Sequence, residues 1–187
     1  MKKILLFLIG ILCLTGCSNK YLTGKINIEI DVLNYGVIEV ELDADEAPIT
    51  VTNFVKLVKE GFYDGLTFHR IIDGFMIQGG DPNHDGAGGS SDTIKGEFAF
   101  NGVNNNILHE SGVISMARGE DYNSASSQFF IVHETSSHLD GKYAAFGHVT
   151  SGMSIVNEIA KNTKVEDSNG TVLYENQPVI SSIKVVE

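Results

Sequence analysis

The chain has 187 residues, and its 24 acidic against 13 basic side chains give a formal net charge of −11. This excess of negative charge argues against a nucleic-acid-binding protein and against membrane binding through a basic patch. A chain of this length suits a single domain that buries about two thirds of its unfolded surface, which is enough for a stable core.

The first residues have the pattern of an export signal. Lys2 and Lys3 precede an apolar run over residues 4–14, which is shorter than the ~20 residues that a bilayer span requires. The run ends in Leu14-Thr15-Gly16-Cys17, which resembles the processing box of bacterial lipoproteins. The resemblance implies a signal peptide over residues 1–16 and lipidation of Cys17. The alternative interpretation is a buried N-terminal helix.

Lipidation at Cys17 would make residues 17–24 a short tether to a domain over residues 25–187. Eight residues of tether span at most ~29 Å, and two or more acyl chains give stable anchoring. We therefore expect the domain at the cell membrane, on its extracytoplasmic face. With Cys13 removed and Cys17 lipidated, no thiol is left for a disulfide, so the fold must depend on its core.

The elements that follow begin with a hairpin and a helix. Strict alternation of apolar and polar residues over 25–31 and 38–42 predicts two strands, and Asn34-Tyr35-Gly36 between them predicts the turn. From Pro48 the apolar period becomes 3.6, which predicts an amphipathic helix that ends before Gly61. A second helix is predicted over about 152–161.

Further short apolar or alternating runs bring the number of predicted strands to eight: 67–72, 75–78, 112–117, 128–132, 145–149 and 179–186. They are separated by loops rich in glycine and asparagine. Many short strands with few helices predict a closed antiparallel barrel or a sandwich.

Four sequence blocks resemble the signature of the cyclophilin-type peptidyl-prolyl isomerases: residues 68–81, 112–117, 127–131 and 139–147. The resemblance covers nearly all of residues 25–187. It implies a mainly β fold, a closed eight-stranded antiparallel barrel capped by two α-helices, and a peptidyl-prolyl cis-trans isomerase that needs no cofactor and no metal. The implied partners are proline-containing polypeptides outside the cytoplasm, bound by a monomer.

The same resemblance assigns catalysis to Arg70, with Phe75 and Gln78 beside it. It assigns substrate binding to eight further residues: Met76, Ala117, Arg118, Gln128, Phe130, His138, Leu139 and Tyr143. Rotation about an X-Pro bond is slow because the nitrogen lone pair is delocalised into the carbonyl, which gives a barrier of ~18–20 kcal/mol. A guanidinium suits this reaction because it can donate a hydrogen bond to the prolyl nitrogen as that atom becomes pyramidal.

Three positions depart from the common pattern of the family. His138 stands where the best-known eukaryotic members carry tryptophan, Tyr143 where they carry histidine, and Arg118 where asparagine is usual. None of these changes removes the arginine or the apolar pocket. The tryptophan takes part in cyclosporin binding in the family, so we expect weak binding of that inhibitor.

Three other interpretations are open. The protein could be a surface-anchored binding module or chaperone that holds proline-containing segments with little turnover. Taken singly, apolar residues such as Phe130 are also typical of an ordinary core. The spacing of Asp81, Asn83, Asp85, Gly86 and Asp92 matches a calcium-binding EF-hand loop, but neither flank has the pattern of a helix.

Overall fold

The computed structural model describes residues 21–186, so the predicted signal peptide and Cys17 lie outside the described residues. All eight predicted strands and both helices are present, within one or two residues of the predicted bounds. The strands are β1 (Lys25–Val32), β2 (Gly36–Asp43), β3 (Phe68–Ile72), β4 (Met76–Gly79), β5 (Val113–Met116), β6 (Phe129–Val132), β7 (Ala145–Ser151) and β8 (Ile180–Val186). The helices are α1 (Pro48–Lys59) and α2 (Met153–Asn162). Neither helix is long or apolar enough to cross a membrane.

The strands form one antiparallel sheet in the order β3-β4-β6-β5-β7-β2-β1-β8. The predicted closed barrel is wrong, because the sheet is a curled half-barrel whose edge strands β3 and β8 do not pair along their length. In the part of the chain that the structure describes, one isolated bridge, from Thr67 to Val179, joins these edges. Just before β8 the chain makes a 3-10 turn over Tyr174–Asn176 and passes through Pro178, which has no N–H to donate. A regular ladder with β3 therefore cannot extend beyond this bridge.

Helix α1 owes its position to both its own sequence and a distant carboxylate. Its apolar face is buried as the period of 3.6 predicts, including Val51 and Phe54. Ala47, at the N-cap, offers no side-chain acceptor. Instead the buried carboxylate of Glu97 accepts the free N–H groups of Ile49 and Thr50 at 3.0 and 2.8 Å, which stabilises the first turn of the helix.

The main core lies between the sheet and both helices, and it includes Phe54 of α1 and Val156 and Ile159 of α2. Its centre is a group of aromatic rings in which Phe54, Tyr63 and Phe129 have centroids 4.9 to 5.7 Å apart. A second apolar group, the outer cluster, covers the opposite face of β4, β5 and β6. It comprises Met76, Val113, Phe130, Val132, Leu139 and Ala145. Because these central strands are buried on both faces, a segment such as β6 is apolar throughout and does not alternate.

Candidate active site

A cleft of about 330 Å³ opens above the outer cluster. Of the residues that the sequence assigned to catalysis or substrate binding, all but Gln128 and His138 line it: Arg70, Phe75, Met76, Gln78, Ala117, Arg118, Phe130, Leu139 and Tyr143. Gln128 lines an adjoining cleft of about 320 Å³, which shares Gln78, Gly86, Ala117 and Arg118 with the first. The predicted site residues other than His138 are thus brought together along two adjoining clefts.

An irregularity in β3 directs Arg70 into this cleft. Phe68 pairs with Gly79 and Arg70 with Gln78, so the register shifts by one residue across His69, as in a β-bulge. Phe68 belongs to the main core, and an unbroken strand would place Arg70, two residues later, on the same face. The shift turns Arg70 to the opposite face, which is a common use of bulges beside active sites.

His69 is buried beside the arginine, and neither of its ring nitrogens has a hydrogen-bond partner among the described residues. Burial lowers the pKa of His69, against the opposing influence of Asp81 and Asp85. Burial thus favours the neutral form of the ring, which adds no second positive charge next to the guanidinium.

The Arg70 guanidinium is held on two sides. Its Nε donates to the backbone carbonyl of Asn169 at 2.8 Å, and one terminal nitrogen donates to the Gln78 side chain at 3.4 Å. The side chain is only partly buried, so its remaining N–H groups can reach a ligand in the cleft.

Gln78 belongs to a chain of amides that continues into the adjoining cleft. Its Nε2 donates to Gln128 Oε1 at 2.8 Å. The Gln128 amide in turn donates to the carbonyls of Gly86 and Gly88 at 3.0 and 2.7 Å. These contacts fix the orientation of both amides. Gln128 thus supports Gln78 from outside the cleft that contains Arg70.

The segment with calcium-loop spacing is the loop that presents these carbonyls. Asp81 is fully buried, and its carboxylate accepts the N–H groups of Asn83, Asp85 and Gly86 at 2.6 to 3.2 Å. Burial would raise the pKa of Asp81, but these backbone hydrogen bonds lower it overall. An EF-hand loop lies between two helices, but here strand β4 precedes Asp81 and residues 82–98 are not helical. The EF-hand interpretation is therefore wrong. In residues 21–186, no three His, Cys, Asp or Glu side chains are grouped as metal ligands.

The apolar wall of the cleft consists of Phe75, Met76, Phe130 and Leu139. Met76 and Phe130 are 1% and 5% exposed and belong to the outer cluster. Tyr143 meets the Phe130 ring edge-on, with centroids 5.9 Å apart. An apolar recess of this kind, with a few fixed polar groups at its border, is typical of a small-ligand site.

Beneath Phe130 lies a Ser-His-Asp array. His109 Nδ1 lies 2.9 Å from Asp140 Oδ1, and its Nε2 lies 3.0 Å from Ser115 Oγ. His109 also stacks on Phe130, with an interplanar angle of 17°. Burial lowers the pKa of His109. Ser115 is 0% exposed, so the array cannot act on a substrate; it ties the segment that carries Leu139 and Asp140 to β5.

Two of the positions that depart from the family pattern pack against aromatic rings: Arg118 and His138. The Arg118 guanidinium lies 4.7 to 5.2 Å from the ring centroids of Phe98, Tyr122 and Tyr143, and its Nε and Nη2 donate to the Lys142 carbonyl. Arg118 therefore lies where the two clefts meet. His138 is exposed and packs against the outside of Phe75, with ring centroids 5.4 Å apart.

Sequence reasoning missed seven residues that line the cleft: His69, His84, Asp85, Gly86, Asn169, Thr171 and Val172. The run Asp167-Ser168-Asn169-Gly170 has the composition of a turn. This was the available signal for Asn169 and the residues next to it. That signal does not say which strand the turn lies beside, so it could not place Asn169 next to Arg70.

An apolar recess, a partly held cation at its border and fixed amides along one side are suited to a site that binds a polypeptide. The comparisons with known proteins name the family. A family model described as "Cyclophilin type peptidyl-prolyl cis-trans isomerase/CLD" matches residues 25–185. The chain belongs to this family, and it is an isomerase.

Individual relatives agree with this assignment. Peptidyl-prolyl cis-trans isomerase B of Bacillus subtilis is 52% identical over 139 residues, which is 74% of this chain and 87% of that protein. A peptidyl-prolyl cis-trans isomerase of Helicobacter pylori is 45% identical over 136 residues, which is 71% of this chain and 80% of the other. A cyclophilin-type isomerase of Cryptosporidium parvum, crystallised in the presence of the dipeptide Ala-Pro, has a TM-score of 0.75 and 30% identity, and the match covers 86% of this chain and 99% of that one.

Proposed function

We propose that this protein isomerises X-Pro bonds of exported proteins at the extracytoplasmic face of the cell membrane, as a lipid-anchored monomer. The prolyl ring would enter the recess formed by Phe75, Met76, Phe130 and Leu139, and the flanking chain would pass Ala117 towards the adjoining cleft. The N–H of Ala117 already donates to the Gln128 carbonyl at 3.0 Å. A bound peptide must therefore use other backbone groups of this segment.

The observation that carries the proposed mechanism is the position of the Arg70 guanidinium. It is held through Nε and lies at the border of the apolar recess, with other N–H groups free to face a bound peptide. A hydrogen bond to the prolyl nitrogen is strongest when that nitrogen is pyramidal, so the bond stabilises the transition state more than the planar ground state. No covalent intermediate is required.

A refolding experiment separates catalysis from mere holding of proline-containing segments. The substrate is an exported protein whose slow refolding phase is limited by proline isomerisation. We expect the wild-type protein to accelerate that phase. At equal concentration, the increase in rate caused by the Arg70→Ala variant should be at least tenfold smaller. Equal acceleration by both proteins would contradict the role of Arg70. A slow phase that the wild-type protein does not accelerate would favour the binding module or chaperone, since holding requires the recess but no turnover.

The proposed location depends on Cys17, and it predicts that metabolic labelling with a fatty acid marks the full-length protein. Cys17→Ser should lose the label and release the protein from the membrane fraction, because the rest of the chain is acidic and offers no polybasic attachment. Cys13→Ser is the matched control, because residue 13 would be removed with the signal peptide, and it should label normally. Equal labelling of Cys17→Ser would contradict the proposal.

The position of His138 against Phe75 predicts weak inhibition by cyclosporin and a gain in the His138→Trp variant. Tryptophan buries up to ~250 Å², and at ~25 cal/mol per Å² an extra ~80 Å² of contact is worth about 2 kcal/mol, or about thirtyfold in affinity. Inhibition constants and kcat/KM on a small peptide are measured for both proteins. The variant should bind about thirtyfold more tightly with little change in kcat/KM. Tight inhibition of the wild type would contradict the role given to His138.

A further inference from the structure

Strand β3 carries Arg70 and is an edge of the open sheet, so it has a ladder partner on one side alone. Its other side is covered by residues 166–172, here called the Asp167 turn. The N–H of Ile71 donates to the Gly170 carbonyl at 2.8 Å, and the N–H of Val172 donates to the His69 carbonyl at 3.1 Å. Thr171 lies opposite Arg70 in an isolated antiparallel bridge. The turn therefore replaces the neighbouring strand that a closed barrel would supply.

One carboxylate links three groups of the turn, beside two backbone hydrogen bonds within it, from Glu166 N–H to the Thr171 carbonyl at 2.8 Å and from Gly170 N–H to the Asp167 carbonyl at 3.1 Å. Asp167 Oδ1 accepts the N–H groups of Asn169 and Thr171 at 3.0 and 3.1 Å, and Oδ2 accepts the Thr171 hydroxyl at 3.1 Å. The hydrogen bond from the Thr171 backbone is the main reason that the pKa of Asp167 is lowered. Gly170, with φ +81°, allows the left-handed step by which the chain reverses.

The shape of this turn decides where the acceptor for Arg70 lies. The Asn169 carbonyl accepts Arg70 Nε at 2.8 Å, whereas the contact from the guanidinium to Gln78 is longer, at 3.4 Å. A planar guanidinium that is held at Nε has its remaining N–H groups fixed in direction. Loss of the carboxylate would remove the hydrogen bond that holds the Asn169 N–H. It would thus loosen the residue whose carbonyl makes the shorter of the two contacts that orient the cation.

We propose that Asp167 is a positioning residue for catalysis, acting on Arg70 through the Asn169 carbonyl. The inference rests on the proposed catalytic role of Arg70. Asp167 is exposed, and its side-chain hydrogen bonds all stay within the turn. A large contribution to the stability of the core is therefore not expected from it.

The test compares variants of the full chain in detergent micelles, with an X-Pro peptide as substrate. Asp167→Ala should lower kcat about five- to tenfold and leave KM within about twofold, because misplacement of a group that acts in the transition state affects kcat. Asp167→Asn keeps an acceptor for both backbone N–H groups and should retain at least about half of the activity. Ser168→Ala, a change in the same turn at a side chain without a hydrogen bond in the described structure, should behave as wild type.

A double-mutant cycle separates positioning from a general structural role. In the Arg70→Ala background, Asp167→Ala should change kcat by less than about 1.5-fold, because the two residues act as one unit. The Nε–H of Arg70 should also exchange with solvent faster in Asp167→Ala, as measured by NMR. If Asp167→Ala lowers kcat equally in both backgrounds, the positioning role is wrong.

The same series distinguishes the two possible failures. If Arg70→Ala itself keeps full activity, the proposed catalytic role of Arg70 fails. If Arg70→Ala loses activity while Asp167→Ala does not, the proposed function stands and the inference about Asp167 alone is overturned.

Discussion

Replacement of Arg70 with alanine should lower kcat/KM for an X-Pro peptide by at least tenfold. If the bound peptide excludes water from the guanidinium, the expected loss is about a hundredfold. The side chain lies at the border of the recess and donates to Asn169 and Gln78. Neither contact belongs to the main core, so the fold should persist. Because the guanidinium acts on the pyramidal nitrogen, the loss should fall mainly on kcat.

Arg70→Lys and Lys184→Ala are the informative comparisons. Lysine keeps the positive charge but cannot donate to Asn169 through a rigid fork, so we expect it to recover only a small part of the activity. Lys184 is an exposed cation on β8, and its removal controls for a general effect of net charge. An Arg70→Ala enzyme that is folded by circular dichroism and within threefold of wild type would refute the assigned role.

Phe129→Ala should lower the free energy of unfolding by about 3–5 kcal/mol, as expected for the removal of a large aromatic side chain from a closed core. Phe129 is 0% exposed. Its ring lies 5.4, 5.7 and 6.1 Å from those of Phe54, Tyr63 and Phe68. These rings come from α1, the loop after it and β3, so the cavity would lie where several elements meet. Denaturant unfolding at equilibrium measures the loss.

Phe100→Ala is the control for that measurement, because Phe100 is 62% exposed and surface substitutions usually change stability by less than about 0.5 kcal/mol. The folded fraction of Phe129→Ala should still isomerise peptides, since this side chain points away from the cleft that the neighbouring Phe130 lines. A loss of less than about 1 kcal/mol for Phe129→Ala would contradict the arrangement of the core.

The elements of the fold could be predicted because their signals are local. Alternation over β1 and β2 reports a sheet with one buried face, and the period of 3.6 after Pro48 reports an amphipathic helix. Closure of the barrel could not be read in this way, because it depends on whether β3 meets β8, more than a hundred residues later in the chain. Pro178 and the 3-10 turn before β8 prevent that pairing, and their position beside β3 is known from the structure alone.

The residues of the site were predicted in outline from sequence blocks. The two features that position Arg70, the register shift in β3 and the Asp167 turn, were not predicted. The shift of register at His69 leaves no mark in the alternation of a five-residue strand. The Asp167 turn lies about a hundred residues from the arginine that it contacts. The spacing typical of a calcium loop was misleading for a physical reason. Aspartate is a common calcium ligand, but the carboxylate oxygens of Asp81 accept hydrogen bonds from backbone N–H groups of its own loop.

Catalysis of isomerisation through the cleft that Arg70 borders is tested most directly by one rate. The fragment 18–187 is mixed with an Ala-Pro peptide, and cis-trans exchange is followed by NMR at equilibrium, where the uncatalysed reaction takes tens of seconds or longer. We predict that exchange accelerates in proportion to the concentration of the fragment. Peptide resonances that shift on binding, while exchange stays at the rate measured in buffer, would show a binding module and contradict the account.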